Sequence, residues 1–171
     1  MIGRRTFLAG GAVALGAAMT GIAFRTGAQE ASYPVTMTDA EWRQKLSADQ
    51  YAVLRQEATE RPYSSPLNSQ KRRGIYRCAG CDSDVYTSST KYDSGTGWPS
   101  FYEAVDGAVA TRSDYKLVVP RTEVHCATCG GHLGHVFDDG PPPTGKRHCI
   151  NGVALTLSLI HISEPTRQEA I

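Results

Sequence analysis

The sequence predicts a mainly β fold: antiparallel sheets, short helices confined to the N-terminal part, and one structural metal site. Three observations carry this. From Gly74 onward, short apolar segments alternate with clusters of Gly, Pro, Asp and Ser, the pattern of antiparallel strands joined by turns. Ahead of Gly74, two hydroxyl residues are each followed three positions later by Glu or Gln, which marks two helix starts. Two C-x-x-C pairs, Cys78/Cys81 and Cys126/Cys129, begin 48 positions apart, so one metal held by both would join distant parts of the β region.

In chain order, Thr38-Asp39-Ala40-Glu41 and Ser47-Ala48-Asp49-Gln50 read as capping boxes, and Trp42, Leu46, Tyr51 and Leu54 supply apolar positions for packing. The second helix is expected to stop before Pro62, with a loop over Tyr63–Asn68. Strands are expected at Gly74–Arg77, Gly107–Thr111 and Tyr115–Val119. The cysteine pairs then fall on turns between strands, where Gly80, Gly130 and Gly131 permit the tight backbone that aims two sulfurs at one ion.

The 171 residues, 40% hydrophobic and 20% charged, suit one compact domain. Arg4, Arg5 and Arg25 precede Gln29 without an acidic residue, which leaves 18 − 3 = 15 basic against 17 acidic residues in the remainder. That balance gives no electrostatic footprint for nucleic acid or an anionic membrane. Residues 1–28 are similar to a twin-arginine export signal: Arg4-Arg5, an uncharged Gly/Ala-rich run to Phe24, and small residues for cleavage near Ala28. An uncleaved membrane anchor is the alternative, weakened because the 19 uncharged residues Thr6–Phe24 are diluted by Gly, Ala and Thr. Either way the domain is expected outside the cytoplasm, periplasmic or otherwise exported, with no stable membrane association once the signal is cleaved. Residues 29–36 read as a linker.

An oxidising compartment favours disulfides, yet five cysteines cannot all pair internally. One structural zinc on Cys78, Cys81, Cys126 and Cys129, loaded before a folded protein is exported, would protect four thiolates. Disulfides or a redox-active C-x-x-C are the alternatives. Four thiolates leave no open position on the metal for hydrolysis. Cys149 stands alone in Arg147-His148-Cys149-Ile150-Asn151. On a strand, Arg147, Cys149 and Asn151 would share a face, and a guanidinium beside the sulfur raises its thiolate fraction. The bland alternative is an inert, buried cysteine. His132 and His135 follow the second pair closely enough to be metal ligands, but acid catalysis suits them better because four better-spaced thiolates exist. His125 and His148 read as residues of a solvated strand face. Gly97-Trp98-Pro99-Ser100-Phe101 sets two aromatics around a stiff turn, either a packed corner or the wall of a site for a methyl group or sulfur.

Taken together, Arg61–Asn68, both cysteine pairs, Ser94–Phe101, Gly131–Phe137 with Asp139-Gly140-Pro141, and Arg147–Asn151 resemble a methionine-R-sulfoxide reductase of the B type over residues 37–156. The resemblance implies a β-tent or barrel-like domain that reduces methionine-R-sulfoxide in oxidised proteins or peptides. It makes Cys149 the nucleophile, His135 the proton donor, and His132, Asn151 and Arg147 supporting groups, with Trp98 and Phe101 binding the substrate side chain. Many members carry a resolving cysteine where this chain has Thr96. The sulfenic acid left on Cys149 is therefore expected to be reduced directly by an external thioredoxin-like dithiol. A monomer is expected. The rival class is a zinc-stabilised binding module with no use for Cys149. At the other end, Leu157–Arg167 matches the translation of a transposase sequencing adapter, so residues 157–171 are read as a non-native tail.

Overall fold

The computed structural model describes residues 32–160, Val118 apart. The predicted export segment, residues 29–31 of the predicted linker and residues 161–171 of the predicted tail lie outside the described residues.

Both helix starts form as the local sequence dictates. In α1 (Asp39–Lys45) the Thr38 hydroxyl accepts from Glu41 N while the Glu41 carboxylate accepts from Thr38 N; in α2 (Ala48–Gln56) Ser47 and Gln50 repeat the exchange. Each such cap contributes about 1 kcal/mol. Trp42, Leu46, Tyr51 and Leu54 all turn inward and are buried. α2 ends when Glu57 takes a left-handed conformation and returns its N–H to Val53 O, five residues ahead of the Pro62 expected to limit it.

The rest is β, in two antiparallel sheets. The smaller runs β2 (Asp84–Thr87), β1 (Gly74–Cys78), β9 (Leu155–Leu159). The larger runs β3 (Lys91–Tyr92), β4 (Ser100–Phe101), β8 (Arg147–Ile150), β7 (His132–Phe137), β6 (Arg121–Cys126), β5 (Val109–Asp114). Both have free edges, so neither closes on itself. A core of Trp42, Leu54, Tyr76, Tyr86, Phe101 and Leu133 is among the groups that pack helices and sheets together.

Three sequence expectations change here. Tyr115–Val119 is not a strand: β5 ends at Asp114, whose carboxylate accepts from Lys116 N and starts the turn, and Tyr115, Leu117 and Val119 stand exposed. Apolar alternation marked the link of a hairpin, not one of its arms. The described part of the linker is docked rather than free, because Val35 N donates to Thr128 O and Tyr33 packs edge-on against His125. The boundary drawn at Thr156 falls inside β9, where Leu157, Ser158 and Leu159 continue to pair with β1.

Candidate active site

The two cysteine pairs occupy equivalent corners. Cys78 closes β1 and Cys126 closes β6, and each chain then turns through Cys81 or Cys129. The four sulfurs lie within 4.8 Å of one another, with Cys78–Cys129 at 3.7 Å and Cys81–Cys126 at 3.5 Å. A tetrahedral zinc with sulfurs at about 2.3 Å sets neighbouring sulfurs about 3.8 Å apart, so the donor set fits zinc. The four sulfurs converge on one point rather than separating into two pairs, the arrangement of a single metal shell. One ion held by these four sulfurs would join the two sheets and keep no open position.

The fifth cysteine sits on the larger sheet. Cys149 on β8 is directly opposite His135 on β7 and Ser100 on β4, so all three side chains share a face. A cavity of about 120 Å3 opens there, with Trp98, Arg121, His135, Phe137, Cys149 and Asn151 among its walls. It is small beside ordinary small-molecule pockets and suits a single side chain. A larger hollow of about 670 Å3, bordered by Asp49, Leu67 and Val153, holds no thiol and touches the first only through Thr59.

Two histidines three positions apart on a regular strand face opposite sides. Here they meet, because β7 carries a bulge: Val124 pairs with Gly134 but His125 with His132, which leaves Leu133 as the extra residue. The ring centroids of His132 and His135 lie 5.4 Å apart. His135 Nε2 is 2.8 Å from Asp114 Oδ2, and His132 Nδ1 is 2.7 Å from Glu123 Oε1. Burial lowers the His135 pKa, with Asp114 pulling the other way. Burial would raise Glu123, yet His132 and Arg112 bring it down to about 2. Gly134, between the histidines, has no room for a side chain, since a Cβ would lie 2.1 Å from Cys149 O.

The Cys149 thiol is pushed up by burial, against the lowering effects of Thr96 and Arg147. Arg147 therefore acts in the anticipated direction, but burial outweighs it. Its guanidinium binds Asp139 twice at 2.8 Å and lies 4.3 Å over the Phe137 ring, at the margin of the pocket rather than in its wall. Thr96 Oγ1 is 3.8 Å from Cys149 Sγ and ends a hydroxyl chain from Ser100 through Ser94 at 2.7 and 2.8 Å. Asn151 is buried and both ends of its amide are engaged: Oδ1 accepts from Glu60 N and Nδ2 donates to Leu133 O, each at 3.0 Å. Glu60 also accepts Trp98 Nε1 at 3.1 Å, and its carboxylate caps the 3-10 turn Gly152–Ala154 by accepting from Gly152 and Val153 N–H. One residue thus fixes two walls of the pocket.

Phe101 is corrected. It is wholly buried and stacks on Tyr86 at 4.4 Å between centroids, so it belongs to the core, and Phe137 is the second aromatic of the pocket. His125 and His148 are not on a solvated face: His125 is buried, and His148 Nδ1 is 3.1 Å from Tyr86 Oη. Sequence reasoning passed over Glu60, Asp114, Arg121, Glu123 and Phe137. Only Phe137 carried a signal, since it lies two residues from His135 on the same strand face.

The SelR domain family matches residues 46–159. The chain is 53% identical over 119 residues to the peptide methionine sulfoxide reductase MsrB of Agrobacterium fabrum, covering 69% of this chain and 88% of that protein. It is 50% identical over 122 residues to the MsrB of Methanosarcina barkeri, with 71% and 86% covered. To the chloroplastic peptide methionine sulfoxide reductase B1 of Oryza sativa it is 51% identical over 127 residues, with 74% and 59% covered.

Proposed function

The chain belongs to the SelR domain family of B-type methionine sulfoxide reductases, and from that premise we propose how its pocket works. The protein reduces methionine-R-sulfoxide in oxidised proteins, using a thiol reductant. The observation that carries the mechanism is the Cys149–His135 cross-strand pair facing a side-chain-sized pocket.

A sulfoxide sulfur is electrophilic, but its oxygen departs only when protonated. Cys149 Sγ attacks that sulfur while His135 protonates the oxygen. His135 Nε2–H is given to Asp114, so Nδ1 is the nitrogen that carries the transferred proton. The S–O bond breaks as oxygen passes to Cys149, which leaves methionine and a sulfenic acid: the thiol is oxidised by two electrons and the sulfoxide reduced by two. Trp98 offers the substrate methyl an apolar face, and Phe137 adds a second aromatic to the lining. Arg147 and Thr96 stabilise the thiolate against the cost of burial. Cys78, Cys81, Cys126 and Cys129 would hold zinc and so fix the turn from which β7 and its histidines start, and the ion would supply structure, not chemistry.

Cys149 has a threonine hydroxyl beside it and no second thiol. Two thiols of an external thioredoxin-like dithiol therefore return the sulfenic acid to thiol, forming their own disulfide and water. The enzyme acts as a monomer. It works outside the cytoplasm, a reading supported by Arg4-Arg5 and the uncharged run after them.

Single-turnover reduction of each sulfoxide epimer tests this. The parent protein should convert one equivalent of the R epimer and leave a sulfenic acid on Cys149. Cys149→Ser should abolish turnover while keeping zinc and melting temperature. Turnover surviving in Cys149→Ser, or an internal disulfide to Cys149, would refute the scheme.

A further inference from the structure

Both imidazoles beside Cys149 are held by carboxylates of one hairpin, β5–β6: Asp114 selects the nitrogen of His135 that carries the transferred proton, but its effect on the basicity of that ring, and any part played by Glu123, go beyond the reaction scheme. Asp114 ends β5 and reaches His135 Nε2; Glu123, on β6, reaches His132 Nδ1. Neither carboxylate is a loose surface acid. Asp114 also accepts from Lys116 N and from Arg121 Nη2 at 2.6 Å, and Glu123 is 3% exposed and ion-paired to Arg112. Arg112 in turn pairs with Glu57, and Glu57 with Lys116. Alternating charges thus run from the buried His132 to the surface. The remaining nitrogen of His132, Nε2, is buried without a partner.

A neutral imidazole has two tautomers, and a carboxylate at one nitrogen selects the form with its proton there. With Nε2–H of His135 given to Asp114, the lone pair or the transferable proton resides on Nδ1. With Nδ1–H of His132 given to Glu123, the unsatisfied nitrogen is Nε2. A carboxylate in this place also stabilises the imidazolium, against the burial that lowers the His135 pKa. The groups around His135 are Asp114 from β5, Arg121 and Glu123 from β6, His132 from its own strand and Cys149 from β8. Of these, the direct bond to Asp114 favours the charged ring, while Arg121 and His132 oppose it.

We propose that Asp114 and Glu123 are positioning residues of the reductase step, each fixing the tautomer and orientation of one active-site histidine, with Asp114 setting the basicity of the proton donor His135. This rests on the reading of His135 as that donor.

The test is the single-turnover rate of sulfoxide reduction against pH for zinc-loaded Asp114→Asn and Glu123→Gln, with His135→Asn alongside. The amide introduced in either carboxylate variant would still offer an oxygen to the ring N–H and to the neighbouring donors, so the fold should hold, checked by zinc content and melting temperature. For Asp114→Asn the rate at neutral pH should fall on the order of tenfold or more, with KM nearly unchanged. Its descending limb should move to lower pH, because an imidazole without its carboxylate protonates only in stronger acid. Glu123→Gln should lower the rate without moving that limb. A purely structural role would reduce stability or zinc content and leave the pH limb in place, and parental rates and limb in both variants would equally overturn the inference. If His135→Asn itself keeps the parental rate, the donor assignment fails instead, and the two failures are distinct.

Discussion

Four sulfurs gather within 4.8 Å where turns of the two sheets meet, while the fifth stands on β8 among a threonine, a histidine and a tryptophan. The atom is the same in both regions. Its fate is decided by what surrounds it: three further sulfurs make a closed shell that uses up every lone pair a metal needs, whereas a hydroxyl, a guanidinium and an imidazole make a nucleophile. The regions also differ in reach. The quartet draws one pair from each sheet, and the catalytic groups come from the larger sheet and its flanking loops. Zinc held by the quartet would bear on catalysis through β6 and the turn into β7, and not through the pocket itself.

The largest break in that comparison is to open the quartet. Cys126→Ser should lose zinc and lower the melting temperature by more than about 10 °C, since a structural zinc supplies several kcal/mol of folding free energy. Metal analysis and thermal unfolding measure both. A variant that keeps its melting temperature without zinc would make the quartet dispensable. A smaller effect, confined to the pocket, is expected of Trp98→Leu. There kcat/KM for the R epimer should fall by about tenfold and its margin over the S epimer narrow, while zinc and melting temperature stay put. Equal losses for both epimers would mean that the indole binds without selecting.

The smallest change sharpens the comparison at the thiol. Thr96 lowers the Cys149 pKa, so Thr96→Val should raise it. The thiol then stays protonated to higher pH, alkylation of Cys149 slows by less than about tenfold at neutral pH, and the difference vanishes in alkaline solution once both proteins are ionised. An alkylation profile identical to the parent's would remove Thr96 from thiolate stabilisation. The zinc cysteines should be indifferent to the change.

Local features were readable in the sequence and distant ones were not. The capping boxes close over three residues, so Thr38 and Ser47 announced both helices. The cysteine quartet was legible because spacing and residue type together specify a metal shell. Tyr115–Val119 misled because apolar alternation says nothing of which side faces water. Phe101 misled for the converse reason: its neighbour Trp98 lines the pocket, yet the short strand β4 turns Phe101 into the core. The bulge at Leu133 that joins the two histidines has no signature in the sequence. Glu60, Asp114 and Glu123 act across separations of 92, 21 and 9 residues, which only the fold brings to zero.

The crowding around Gly134 bears on how this gene can vary. The histidines on either side are the chemically expressive residues, yet each is a side chain another could partly imitate. At Gly134 the constraint is an absence, and even a methyl group would press on the backbone of the nucleophile's own strand. Among inherited variants, a change from glycine to alanine, ordinarily ranked as mild, belongs here beside loss of the thiol.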